Sequence, residues 1–168
     1  MKIRKTTEND IKRISEIYSY ARDFMVKNGN PNQWGANNWP PIDLIRTDIK
    51  EGNSYVCLND NDEVIGTFYY AYGKDVEPYY LEIDNGNWIS DEPYAVIHRI
   101  AGDGSEKGIG AFCINWVYDK CKHIRIDTHE DNKIMQNLLK KLGFKHCGTI
   151  YVLESRDPRL AYEKIDNN

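Results

Sequence analysis

Long apolar runs are missing from this 168-residue chain. No stretch approaches the ~20 consecutive apolar residues that cross a bilayer, and the N-terminus carries no apolar signal region. The expectation is a cytoplasmic protein with no membrane partner. Basic charge is also short: 22 Lys and Arg stand against 26 Asp and Glu, giving a formal net charge of −4. That balance excludes the basic face of a general nucleic-acid binder. Cysteine is sparse and unpatterned. Cys57, Cys113, Cys121 and Cys147 form no Cys-x-x-Cys pair, and no His-x-x-x-His pair exists. Neither a disulfide framework nor a zinc site is indicated, so the thiols read as reduced and mostly packed, and no metal is expected. Internal repeats and low-complexity tracts are absent too.

What is present suits one globular domain over residues 1–168. The composition is 40% hydrophobic and 29% charged, and the length allows a real core. Lys2 to Thr6 reads as a short strand. Thr7-Glu8-Asn9-Asp10 resembles a capping box with Asp in place of Glu. It opens a helix with the stripe Ile11, Ile14, Ile17 or Tyr18, Ala21 and Phe24 or Met25. The run from Gly29 to Pro41 is too rich in Pro, Gly and Asn to be regular. Its Trp34 and Trp39 have two uses open to them: plugging the underside of the fold, or forming a pocket wall. Pro41 suits the first turn of a second helix, Ile42 to Glu51, which Gly52 stops.

Ser54 to Leu58 and Val64 to Tyr72 form an antiparallel hairpin across Asn59-Asp60-Asn61-Asp62. Residues 73–93 resemble an insertion. Asp75, Glu77, Glu82, Asp84, Asp91 and Glu92 face only Lys74 there, interleaved with Tyr79, Tyr80 and Trp88. It is either a solvated acidic loop or an aromatic and acidic rim that attracts a cationic amine.

Chemistry concentrates after that insertion. Tyr94 to Ala101 reads as a buried strand, and Ile109, Phe112, Cys113, Trp116 and Val117 recur at helical spacing, so a helix starts near Lys107. Between them lies Gly102-Asp103-Gly104-Ser105-Glu106-Lys107-Gly108-Ile109-Gly110. Glycines 108 and 110 leave the first helical turn unshielded, and its unpaired N–H groups with the helix dipole suit a phosphate or pyrophosphate. A tight turn with close helix–strand packing would use the same glycines. His123 to Thr128 is a further strand. Asp131 or Asn132 caps a helix carrying Ile134, Met135, Leu138, Leu139 and Leu142, closed by Lys140, Lys141 and Gly143 with Phe144 folding back on Leu139. Two strands follow, Lys145 to Leu153 and Arg159 to Lys164.

Over residues 94–152 the sequence resembles the GNAT superfamily of N-acetyltransferases. Ser105-Glu106-Lys107-Gly108-Ile109-Gly110 matches the family's Arg/Gln-x-x-Gly-x-Gly/Ala. Asn132 followed by Leu138-Leu139-Lys140-Lys141-Leu142-Gly143-Phe144 matches its Asn-capped helix ending in Leu-Tyr-x-Lys-x-Gly-Phe. Ser105 and Leu139 depart from the pattern: the first removes a long polar side chain, the second a tyrosine proposed to protonate the departing thiolate. The resemblance implies a single α/β domain, a mixed sheet of six to seven strands with about four helices. It also implies acetyl-coenzyme A as co-substrate, held by Ile100, Ala101, Gly102, Ser105, Glu106, Lys107, Gly108, Ile109, Gly110 and Asn132.

The implied activity is acetyl transfer to a primary amine of a small molecule by direct attack in a ternary complex. Gln33, Trp34, Tyr80 and Trp88 are the candidate acceptor contacts. Strand alternation places Tyr94, Val96, His98 and Ile100 on one face. His98 is then either the general base or a hydrogen-bonded structural histidine. Glu82 is a second candidate base, and Tyr151 a candidate acid in place of the missing tyrosine. His129, after the second motif strand, is either near the cofactor or a solvated loop residue. The protein is expected as a monomer or homodimer. A phosphotransferase reading fails because no Gly-Lys-Ser/Thr closes the glycine turn. A non-catalytic acyl-coenzyme A sensor and a protein or peptide N-acetyltransferase remain as alternatives.

Overall fold

A computed structural model describes residues 1–153 and 155–166; the expected domain end at 168 lies outside the described residues. The elements are β1 (Lys2–Lys5), α1 (Ile11–Lys27), α2 (Ile42–Lys50), β2 (Ser54–Leu58), β3 (Val64–Gly73), β4 (Tyr94–Gly102), α3 (Ile109–Cys121), β5 (His123–Thr128), α4 (Lys133–Lys141), β6 (Lys145–Tyr151) and β7 (Pro158–Ile165). The strands form one seven-stranded sheet in the order β1-β2-β3-β4-β5-β7-β6. It is mixed: β1–β2–β3 and β5–β7–β6 are antiparallel ladders, while β4 and β5 run parallel. A parallel neighbour needs a crossover, and α3 supplies it. This single α/β domain divides into two compact units, Met1–Tyr70 with His98–Asn115, and Ala71–Ile97 with Trp116–Asn168.

In the first unit the α1 stripe is the core. Ile14, Ile17, Tyr18 and Ala21 are buried with Trp34, Ile45, Val56, Leu58 and Ala101. The Thr7 N–H donates to Asp10 Oδ2 at 2.8 Å, so aspartate does serve the capping role, and Arg4 grips the same carboxylate through two bonds. Phe24 lies outside the stripe, 41% exposed. The two tryptophans of the 29–41 loop part company: Trp34 meets Tyr18 edge-on in the core, whereas Trp39 is exposed.

In the second unit β5, β7 and β6 carry the core, with Leu139 of α4 and Phe144 fully packed. The α4 ending is as expected. Gly143 takes φ +90°, and the Phe144 N–H returns to Leu139 O at 2.9 Å. Ile134, expected in the buried stripe, is exposed. The 73–93 segment is pinned rather than loose. Asp84 and Thr149 exchange both backbone bonds, and a Cβ at Gly86 or Gly148 would collide with the opposing Cys147 or Asp84 carbonyl.

Candidate active site

The glycine turn is shaped from its own first residues. The Asp103 N–H donates to Ile65 O at 2.9 Å, and Asp103 Oδ1 accepts from both the Ser105 N–H (2.9 Å) and the Ser105 hydroxyl (2.6 Å). Gly104 follows at φ +75°, where a Cβ would overlap the Tyr20 hydroxyl, so glycine is required twice over. Helix α3 begins at Ile109, two residues later than expected, and the Phe112 N–H donates to Gly108 O at 2.9 Å. The N–H groups of Ile109, Gly110 and Ala111 therefore precede the first intrahelical bond. A Cβ built on Gly108 (φ +82°) meets nothing within 4 Å, so open space faces the backbone there. This bare helix start fits the pyrophosphate of a coenzyme. The Ser105 hydroxyl itself is turned to Asp103. Glu106 and Lys107 are exposed, while Ile100 and Gly102 are half-buried and Ala101 is buried.

The end of β4 departs from simple alternation. Its ladder with β5 covers Ala95 and Val96. Arg99 then adopts φ +54°, a left-handed conformation that is costly for a residue with a side chain. Tyr94 and Val96 are buried, and His98 and Ile100 are half-buried. Arg99 is held from both ends. The Tyr18 hydroxyl donates to its carbonyl at 2.7 Å, and its guanidinium forms two bonds to Asp48, at 2.9 and 3.0 Å. The same guanidinium lies 4.5 Å over the Tyr69 ring, against which the His98 imidazole stacks at 5.7 Å. Burial lifts the Asp48 carboxyl above its ordinary value, with Arg99 opposing it. Burial likewise pushes Tyr18 up, which keeps its hydroxyl a donor. His98 thus stacks on a ring that also carries the Arg99 guanidinium.

Gln33, in the same unit, accepts from Asn30 Nδ2 at 2.9 Å. Trp34, at 7% exposure, is a core residue. In the second unit Tyr80 is packed in the same way. It is 1% exposed, and its hydroxyl donates to Asp127 at 2.6 Å, so it is a packed pillar of the insertion. Trp88 is half-buried, with its indole N–H on Tyr80 O at 2.7 Å. Glu82 and Tyr151 are brought together by Arg156, which pairs with Glu82 at 3.3 Å and lies 5.0 Å over the Tyr151 ring. A hydrogen bond to Asp84 raises Tyr151 above the usual phenol range, making it a weaker acid. Asn132 is the α4 N-cap, its Oδ1 accepting from the Met135 N–H at 3.0 Å. His129 Nδ1 accepts from the Asp131 N–H at 3.0 Å. Among the described residues no His, Cys, Asp and Glu group is arranged to hold a metal ion, and no helix is long and apolar enough to cross a membrane.

Two clusters were not anticipated from sequence. One is Asp48–Arg99, whose only signal was a charged residue three positions after Ile45 on the buried side of α2. The other is Glu163, fully buried and bonded to His123, Arg125 and the Ile89 N–H.

Comparison with known proteins agrees with this geometry. The profile of the acetyltransferase (GNAT) family matches residues 15–144. A GNAT-family acetyltransferase from Streptococcus agalactiae 2603 superposes with a TM-score of 0.87 at 31% identity, covering 99% of this chain and 96% of that one. A putative acetyltransferase from Staphylococcus aureus Mu50 gives 0.69 at 25% identity, covering 98% and 99%. A phosphinothricin acetyltransferase from Sinorhizobium meliloti, solved in complex with AcCoA, gives 0.59 at 16% identity over 97% and 86%. No curated protein matches the chain. With the glycine-opened helix, the parallel β4–α3–β5 crossover and a family match over most of its length, the chain belongs to the GNAT family of acetyltransferases, which use acetyl-coenzyme A.

Proposed function

We propose that this protein acetylates a primary amine of a small molecule, with acetyl-coenzyme A as donor in a ternary complex. The observation that carries the cofactor half is the start of α3: three N–H groups ahead of the Phe112–Gly108 bond, with open space at Gly108. The backbone of Ser105 to Gly110 would hold the pyrophosphate, and Ile100 to Gly102 the arm leading to the thioester. The complexed state of the S. meliloti acetyltransferase supports the same donor.

In the transfer an N–C bond forms at the carbonyl carbon, the C–S bond breaks, and the amine loses a proton while the sulfur gains one. His98 is our candidate base, since its ring stacks on Tyr69 and imidazole is the side chain most often used for general-base work. Glu82 is the alternative base and Tyr151 the candidate acid. Tyr151 is the weaker assignment, because its raised pKa opposes proton donation. Leu139 supplies no acid, being buried in the core. Gln33 and Trp88 remain candidate acceptor contacts, and the carboxylates of residues 73–93 favour a cationic amine.

Thiol release from acetyl-coenzyme A tests this, with small amines, amino-acid amides and a basic peptide offered in parallel. Turnover with small amines supports the proposal. Turnover with the peptide alone would assign a protein acceptor, and tight binding without turnover would assign an acyl-coenzyme A sensor.

A further inference from the structure

Ser105 stands where the resembled signature has a long polar residue, and the structure shows a different device at that turn. Arg13 of α1 makes three bonds: Nε to Val64 O at 2.9 Å, Nη1 to Glu16 at 3.2 Å, and Nη2 to Asp103 Oδ2 at 2.5 Å. The other oxygen of Asp103 holds the Ser105 N–H and hydroxyl. The Asp103 side chain is 13% exposed and that of Arg13 40%. A guanidinium anchored on strand β3 thus fixes a carboxylate, which in turn fixes the entry to the bare helix start.

We infer that Arg13 and Asp103 are positioning residues for coenzyme binding: the Arg13–Asp103–Ser105 brace sets the phosphate-binding turn and cancels the negative charge that Asp103 places beside it. This rests on the coenzyme reading above. Physically, a lone carboxylate near an anion site repels the anion, and a paired one does so far less. The brace explains why an acidic residue is tolerated at the phosphate end of the turn. It also assigns the serine hydroxyl a role that an arginine or glutamine at position 105 would not fill.

The test is calorimetry with acetyl-coenzyme A on wild type, Arg13→Ala, Asp103→Asn and the double variant, each checked for thermal unfolding. Wild type that fails to bind would end the coenzyme reading itself. Given binding, Arg13→Ala is expected to raise Kd roughly tenfold or more, because it frees the turn and unmasks Asp103. Asp103→Asn keeps an oxygen for Ser105 and should raise Kd by no more than about threefold. The double variant should return to the Asp103→Asn level, which marks coupling. Acceptor KM should be unmoved in all three variants.

A purely long-range charge effect predicts instead that Asp103→Asn tightens binding, and that outcome overturns the brace. So does unchanged affinity in a folded Arg13→Ala. If Arg13→Ala fails to fold, the pair Asp103→Asn and Asp103→Ala decides. The alanine, which loses the Ser105 contacts, must bind more weakly than the asparagine, and equal affinity refutes the inference.

Discussion

Replacing Glu163 by Gln should cost far more stability than a one-atom change suggests. Glu163 is fully buried, and its two oxygens meet the His123 ring at 2.5 Å, Arg125 Nε at 3.1 Å and the Ile89 N–H at 2.5 Å. The two side-chain donors are committed elsewhere too. His123 Nδ1 lies 2.9 Å from Pro93 O, Arg125 bonds Ser90 O, and the Arg125 guanidinium lies between the Trp88 and Tyr94 rings at 4.4 and 4.3 Å. One carboxylate therefore ties β5 and β7 to the far end of the 73–93 insertion. An amide in its place presents N–H to donors and leaves Arg125 without its counter-charge. Breaking one side of a buried ion pair costs about 3–5 kcal/mol. For a chain of this length that lowers Tm by roughly 6–20 °C, at about 2–4 °C per kcal/mol.

The pH dependence supplies the sharper assay. Burial pushes Glu163 up, but the His123 hydrogen bond, the Ile89 N–H and Arg125 outweigh it and hold the carboxyl below its ordinary 4.5. A carboxyl depressed in the folded state contributes stability that is fully present above the unfolded value and is lost as pH falls through the folded one. Urea unfolding of wild type and Glu163→Gln should show a clear gap at pH 7. The gap should narrow below pH 4.5, with m unchanged. A gap under ~1 kcal/mol at pH 7, or one that persists at full size at pH 3, would refute the electrostatic account.

Gly108→Val should weaken acetyl-coenzyme A binding at least tenfold, about 1.4 kcal/mol, read by calorimetry on folded protein; its φ of +82° adds strain, so unfolding must be measured alongside. Asn132→Ala removes the α4 cap and should cost about 1 kcal/mol of stability in urea titration, with a smaller loss of coenzyme affinity than Gly108→Val. His98→Ala should lower kcat/KM by roughly a hundredfold with coenzyme affinity intact, and the pH profile should lose one ionisation if the imidazole is the base. Glu82→Gln should raise KM for a cationic amine and leave a neutral amine unaffected; equal effects on both would mark the acidic insertion as solvated surface.

The order of elements was legible because its signals are local. Apolar spacing marked α1 and α4, and glycine and proline punctuated the chain at Gly52, Gly108 and Gly143 within a residue or two of the observed boundaries. The bare helix start was legible for the same reason. What escaped were pairings between residues far apart in the chain. Asp48 meets Arg99 across 51 positions, and His123 meets Glu163 across 40. No periodicity encodes such partners. Trp34 and Trp39 show the same boundary: both lie in one irregular loop, yet only Trp34 reaches the core, against Tyr18.

Arg99 is the instructive exception, because its conformation runs against every local rule. Nothing in Ile97-His98-Arg99-Ile100 forecasts a left-handed residue, and glycine would adopt it without strain. A glycine could not also carry a guanidinium to Asp48 and Tyr69. The strain, of order 1–3 kcal/mol, is held by the two Asp48 bonds and by the Tyr18 hydroxyl on the Arg99 carbonyl. Backbone distortion fixed by a buried ion pair is a rigid arrangement, and it lies between His98 and Ile100, at the end of β4 that leads into the glycine turn. The His98 ring meets the same cluster through Tyr69, on which it stacks while the Arg99 guanidinium lies over that ring.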